Sequence, residues 1–381
     1  MFGHRSGGDI VALADIRSGS AAVAIIEIGT PLRIIAFARE HLPLEKRSES
    51  ALMSGVIQAL GVAGDAALKE FATSSAKHKR ISKCICIVGA PWTQSIVGTA
   101  DTHFEKDTTI TEAIVNNHAQ KALTNQTTID AKNLFEATVV RVLLNGYPTG
   151  KPVGKKATDI HLYALISSCN EQIKAAVEET LHRLFPGAKQ IAWRSSARAV
   201  LTALQEANAP ATCMVVDVDA EATDLLVMHK GALVGRDEVS HGVRSMTATL
   251  MPEKTSEETL VLIDMLEKDR CDSDTCDQIK DAIARAEPDL AHTFGEKLAL
   301  LSAKRRVPEQ LVLIAPERIA GWLSQFFTRI DFTQFTVTTE PFIVSTLSLA
   351  NFAALPQGEA RLADDPNLMV ACALVNTEYR S

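Results

Sequence analysis

The sequence predicts an α/β fold in which two similar halves face a cleft. Length and composition set the frame. The 381 residues, 46% apolar and 22% charged, exceed one typical core and bury enough surface to offset chain entropy. Two apolar hairpins supply the symmetry. Asp9–Ala38 reads as a three-strand meander (DIVALAD, AAVAIIEIG, TPLRIIAFA) around an IRSGS turn. Cys213–Val239 repeats the plan of apolar strand, Asp-containing turn and apolar strand.

The elements between follow from period and punctuation. Residues 50–74 carry Leu52, Val56, Leu60 and Leu68 at helical spacing. KCICIVGAP is a short, nearly continuous apolar strand suited to a buried position, with Cys84 and Cys86 on one face. ITEAIVNNHAQKAL (Ile110–Leu123) reads as helix, and ATVVRVLLNGYPTGKPVGKKATDIHLYALISS as strand, Gly/Pro loop, strand. EQIKAAVEETLHRLF is an amphipathic helix stopped by Pro186 and Gly187. Thr255 and Glu258 form a capping box ahead of TLVLIDMLEK, and helical pattern continues to KLALLSAKRR. Strands return at EQLVLIAP and FTQFTVTTE, and NLMVACALVN closes the chain.

Charge and cysteine usage exclude several classes. The 39 basic and 46 acidic residues give net −7, with no polybasic run and no basic face interleaved with aromatics, which disfavours nucleic-acid binding. Met1–Ile10 has no apolar core of signal-peptide length, and no uninterrupted apolar run reaches the roughly 20 residues of a membrane span. Seven scattered cysteines point to reduced cytosolic thiols. Cys271 and Cys276 have no histidines at ligand spacing, so buried thiols are favoured over zinc.

The chemistry concentrates in the two turns. A phosphate-cradling hairpin needs glycines for close backbone approach, yet the second turn, DVDAEATD, places Asp219, Ala220 and Glu221 there. A carboxylate about 4 Å from a phosphate charge costs on the order of 4 kcal/mol at an effective dielectric of about 20. Magnesium shared by the alternating Asp217, Asp219 and Glu221 offsets part of that. A calcium loop is excluded by Ala222 and Met228, where glycine and glutamate belong. In the first turn, DIRSGSAAV, Ser18, Gly19 and Ser20 present amides and hydroxyls to a phosphate, and Arg17 adds positive charge. GYPTGKPVGKK lacks P-loop spacing and reads as a solvent loop, and no HExxH or GxSxG motif supports a hydrolase.

In this order the elements resemble the actin-like ATPase superfamily, and within it the FtsA and PilM branch. DIRSGSAAV resembles the first phosphate motif, with Arg17 in place of glycine. DVDAEATD resembles the second, where Asp217, Thr223 and Asp224 agree and the glycines do not. KPVGKKATDIHLYALISS resembles the signature of the small SHS2 subdomain that FtsA and its relatives insert, and LIAPERIAGWLSQFF replaces a glycine pair by Ala315 and Pro316.

The resemblance implies a ribonuclease H-like two-domain fold with a nucleotide cleft. The first domain is expected over residues 1–82 and 166–210, with 366–381 returning to it. The inserted subdomain takes 83–165 and the second domain 211–365, with a helical part near 251–310. Nucleotide contacts fall on Asp15, Ser18, Gly19, Ser20, Asp217, Thr223 and Asp224, with ATP and magnesium as cofactors and Asp15 and Asp217 as magnesium ligands. Three altered motifs imply a degenerate ATPase.

The role that follows is a cytoplasmic scaffold at the inner face of the membrane, in pilus assembly like PilM. The alternatives are a division role like FtsA, or an active magnesium-dependent ATPase. The implied partner is an inner-membrane pilus or division protein with a short cytoplasmic tail, alongside self-association. No nucleic acid and no direct membrane insertion are expected. The MFG start and the absence of an amphipathic lipid-binding tail beyond the closing helix favour the pilus role, and the KPVG loop is more like FtsA.

Overall fold

A computed structural model describes residues 8–126, 128–303 and 305–380. The MFG start therefore lies outside the described residues. Strands β1 (Ile10–Ile16), β2 (Ser20–Glu27) and β3 (Arg33–His41) form the predicted meander. Helix α1 (Glu49–Thr73) starts where the Ser48 side chain accepts from the Ala51 amide. Strand β4 (Ile81–Val88) then pairs parallel with β1.

A separate antiparallel sheet follows: β5 (Thr93–Thr109), helix α2 (Glu112–Thr124), β6 (Leu134–Leu144), the two-residue β7 (Tyr147–Pro148) and β8 (Lys156–Cys169), in the order β5-β8-β6-β7. Helix α3 (Glu171–Leu184), β9 (Ile191–Ser195) and α4 (Ser196–Glu206) return the chain to the first sheet, whose order is β3-β2-β1-β4-β9. Because β4 belongs to that sheet, the expected boundary at residue 83 falls inside a strand. The boundary at 166 falls inside β8.

The second half repeats the path. Strands β10 (Cys213–Val218), β11 (Thr223–His229) and β12 (Ala232–Val239) precede helices α5 (Val243–Leu250), α6 (Ser256–Glu267) and α7 (Ser273–Ser302). Then come β13 (Gln310–Ile314), α8 (Glu317–Arg329), β14 (Ile343–Thr346), the short α9 (Ala360–Asp364) and α10 (Pro366–Arg380). The sheet order is β12-β11-β10-β13-β14. The capping box forms as predicted: the Glu258 amide donates to Thr255 Oγ1 at 3.2 Å, and Glu258 accepts the Thr255 amide at 2.8 Å.

FTQFTVTTE makes one bridge, Val307 with Thr336, instead of a strand. Its start is curled by Asp331, which accepts from the Thr333 amide at 3.0 Å, and by the Thr336 amide donating to Thr333. The ladder position beside β13 goes to β14. Cys271 and Cys276, expected as thiols, are joined as a disulfide across the start of α7, with Cα atoms 5.5 Å apart. The other five cysteines are buried and free.

Strand alternation divides the interior into layers. On β1, Ile10, Ala12, Ala14 and Ile16 pack with Val56 and Leu60 of α1 and Ile173 and Val177 of α3. Val11 and Leu13 face the other way, into a core shared with α4, α10 and Cys213 and Val215 of β10. Met214 and Val216 face a third layer rich in aromatics, including Phe294, Phe326, Phe327 and Phe342. Helices α4 and α10 therefore contribute to a core that joins the two sheets. Helix α1 is long and apolar enough to cross a membrane by length and composition, but its Val56, Leu60, Ala63 and Ala67 are buried among β1–β3 and α3.

Candidate functional site

The same alternation aims the two key carboxylates. Asp15 follows Val11 and Leu13, and Asp217 follows Cys213 and Val215, so both stand on the strand faces that share one core. Each sits at the end of its strand beside a turn. The two turns meet there.

Arg17 joins them. Its guanidinium is buried, 3% exposed, and donates from Nε to Asp15 Oδ1 at 3.2 Å and from Nη1 to Asp217 Oδ2 at 3.1 Å. The other Asp15 oxygen accepts from Arg39 at 2.9 Å, and Arg39 also donates to Asp365 at 2.6 Å and to Ser20 Oγ at 2.9 Å. Two arginines and three aspartates thus tie both sheets to the start of α10. Burial opposes the charge on Arg17, but Asp217, Asp15 and Asp219 together hold it more firmly protonated than a free arginine. Among the described residues Asp217 has this one cation and its Oδ1 has no partner, and burial pushes its carboxyl up to about 6 against the pull of Arg17.

Backbone groups that a phosphate would need are already bonded. The Ser18 amide donates to Asp219 Oδ2 at 2.8 Å, and Ser18 Oγ accepts from the Glu221 amide at 3.0 Å. The first amides of α5, an anion site in principle, donate instead to turn carbonyls: Val243 to Asp219 at 2.9 Å and Arg244 to Ala220 at 3.0 Å. Arg244 further clamps Glu221 through both carboxylate oxygens at 2.8–2.9 Å. Gly19 and Gly242 are glycine because of this closeness. A Cβ on Gly19 would lie 2.4 Å from Ala220 Cβ, and one on Gly242 would lie 2.4 Å from the Asp219 carbonyl oxygen.

Asp15, Ser18, Gly19, Ser20 and Asp217 are thus brought together, but facing each other and the arginines. The arrangement does not fit a magnesium-bound phosphate. A guanidinium stands between the two expected magnesium ligands, and Gly19 of one turn lies so close to Ala220 of the other that a Cβ there would clash. Asp224 lies directly across from Asp217 in the β10–β11 pair and is paired with Arg236. Burial raises its carboxyl and Arg236 opposes the shift. Thr223 is turned away and donates from Oγ1 to the His241 carbonyl at 2.7 Å.

Sequence reading missed Arg39, Arg236 and Arg244. The signal for Arg39 lay in register: Asp15 pairs with Ala22 and Ala22 with Arg39, so the small Ala22 lets the arginine reach across one strand. Gly19 and Ser20 of the first turn and Asp219 and Ala220 of the second line a cavity of about 470 Å3, closed on its other side by Leu42, Leu260 and the Ala315–Pro316 corner. Acids outnumber bases on its wall, Asp219, Glu257, Glu317, Asp364 and Asp365 against Arg39 and Arg318. Burial and Arg39 hold the His41 imidazole below its ordinary value.

Two five-stranded sheets of one order, facing across a hairpin-lined cleft with helices between them, give the chain the actin-like ATPase fold. It is similar over its whole length to a chain of the PilM-PilN type IV pilus biogenesis complex: 13% identity, 95% of this chain and 97% of that one covered, TM-score 0.58. The ethanolamine utilization protein EutJ from Carboxydothermus hydrogenoformans matches at 10% identity over 96% of this chain and 88% of its own, TM-score 0.47. A Bacteroides thetaiotaomicron protein with actin-like ATPase fold and unknown function matches at 8% identity over 98% of each chain, TM-score 0.39. No protein-family model matches the sequence, and no curated protein matches it.

Proposed function

We propose that the chain is a cytoplasmic scaffold of the actin-like fold that acts at the inner face of the membrane in type IV pilus assembly, without ATP hydrolysis. The observation that carries the proposal is Arg17 between Asp15 and Asp217. A cation supplied by the protein itself takes the place where a nucleotide-bound metal would act, and the turns that would hold phosphates hold each other. The pilus role is supported by the full-length likeness to the PilM-PilN complex, which makes the short cytoplasmic tail of an inner-membrane pilus protein the partner to seek. Fold alone does not carry that role.

The cavity beside the turns favours a second reading, an ATPase whose cleft opens to admit nucleotide and magnesium on Asp15, Asp217 and Asp224. Deleting the gene and complementing with Asp217→Asn separates the two. Loss of surface pili, restored by Asp217→Asn as fully as by the parent, is the expected result. Failure of a folded Asp217→Asn protein to complement supports the ATPase, and a division defect with intact pili points to the role of FtsA.

A further inference from the structure

The third sheet ends in a braced tip that takes no part in the cleft. Asn145 (φ 50°) and Gly146 (φ 80°) reverse the chain between β6 and β7, an Asn-Gly pair suited to a two-residue hairpin. Asn145 Oδ1 accepts from the amides of Thr158 and Asp159, both at 2.9 Å. The Gly154 amide donates to the Ile110 carbonyl and the Ile110 amide to the Lys155 carbonyl, both at 2.8 Å. The tip is therefore fixed, and it presents apolar groups outward: Tyr147 is 77% exposed and Val153 55%.

Around them stand Lys151, Lys155 and Lys156, all exposed. Among the described residues none of the three has an ion pair, and Lys155 Nζ donates only to Thr149 Oγ1 at 2.7 Å. The sequence from Ala137 to Thr158 contains no acid; the nearest are Asp159, which is engaged by His103, and Glu105 and Asp107 on β5 near the strand residues that pair with Lys156 and Ala157. On a chain of net charge −7 this is a local cationic point with an aromatic at its end.

We propose that this tip docks on an anionic lipid surface, with Tyr147 and Val153 entering the headgroup layer and the three lysines facing lipid phosphates and carboxylates. Charge complementarity names the partner. Tyrosine favours the membrane interface, where its ring is buried and its hydroxyl stays wet, and lysine stems reach along apolar surface while their ammonium groups remain in water. An acidic peptide is less well suited. Strand β7 has only two residues, one of them Pro148, which has no amide to pair with an added strand. This departs from the expectation that a protein partner alone brings the chain to the membrane, and it does not depend on the pilus role.

Sedimentation of the purified full chain with vesicles tests it, using phosphatidylcholine alone and with about one-third phosphatidylserine, in low and high salt. Binding to the anionic vesicles only, weakened by salt, is expected. One lysine at such a surface contributes about fivefold, so Lys151→Gln, Lys155→Gln and Lys156→Gln together lower the affinity about a hundredfold. Tyr147→Ser weakens binding while leaving its salt dependence unchanged. These exposed changes leave the melting temperature in place. Absence of binding to anionic vesicles overturns the proposal, as does equal binding by the triple variant or capture of an acidic peptide by the tip without vesicle binding. The vesicles contain no pilus protein, so this outcome is independent of the pilus reading.

Discussion

Arg17→Ala removes the cation common to both sheets. Asp15 keeps Arg39, whereas Asp217 is left with no cation among the described residues, where one of its oxygens already has no partner. Orphaning a buried charge in this way costs about 3–5 kcal/mol. The folded chain has one escape, protonation of Asp217. In the parent that carboxyl is held at about 6, so at pH 7 its protonated form lies about 1 kcal/mol above the ionised one, and the variant loses that difference. Below pH 6 that part disappears, because Asp217 is then protonated in the parent as well. The loss in Arg17→Ala is therefore about 3 kcal/mol at pH 7 and about 1 kcal/mol smaller near pH 5. Urea midpoints of the first unfolding transition, followed by circular dichroism at both pH values, give the comparison. Adding Asp217→Asn removes the orphan, so the double variant falls short of additivity by about 1–3 kcal/mol. A loss within about 0.5 kcal/mol of zero at both pH values, or strict additivity, refutes the buried bridge.

Three further outcomes follow from the same geometry. The folded chain binds a proton at Asp217 between pH 3.8 and about 6 that the unfolded chain does not. This group's contribution is complete below the lower value and is lost as pH rises through the upper one. Between about pH 4 and 6 the parent therefore loses about 3 kcal/mol relative to Asp217→Asn, and parallel urea-midpoint curves for the two proteins contradict this. Gly19→Ala drives a methyl into Ala220 and costs about 1–3 kcal/mol. Ala220→Gly in the same chain restores most of the loss, and no loss in the single variant means that the turns do not touch. Phe327→Ala, fully buried among Phe294, Phe326 and Phe332, costs about 3–5 kcal/mol, read from the urea midpoint.

What could be read from the sequence was local. The meander, the buried β4 and the Thr255 capping box follow from period and residue type within a few positions, and the resemblance between the two hairpins carried the symmetry of the sheets. What depended on partners far along the chain could not be read. Arg17 looked like a charge waiting for phosphate because Asp217, 200 residues away, becomes its neighbour only when both strands present their odd-numbered faces to one core. Arg39 reaches Asp15 through a register across three strands. FTQFTVTTE had strand composition, but side chains of Asp331 and Thr336 bond the backbone first. The Cys271–Cys276 pair depended on how the turn before α7 closes, which spacing alone does not fix.

Calorimetric titration of the purified chain with ATP and magnesium, with ADP as control, tests most directly whether the cleft is closed at its phosphate end. The Arg17 bridge and the interlocked turns predict no heat of binding at millimolar ATP. Saturable binding in the micromolar range contradicts them.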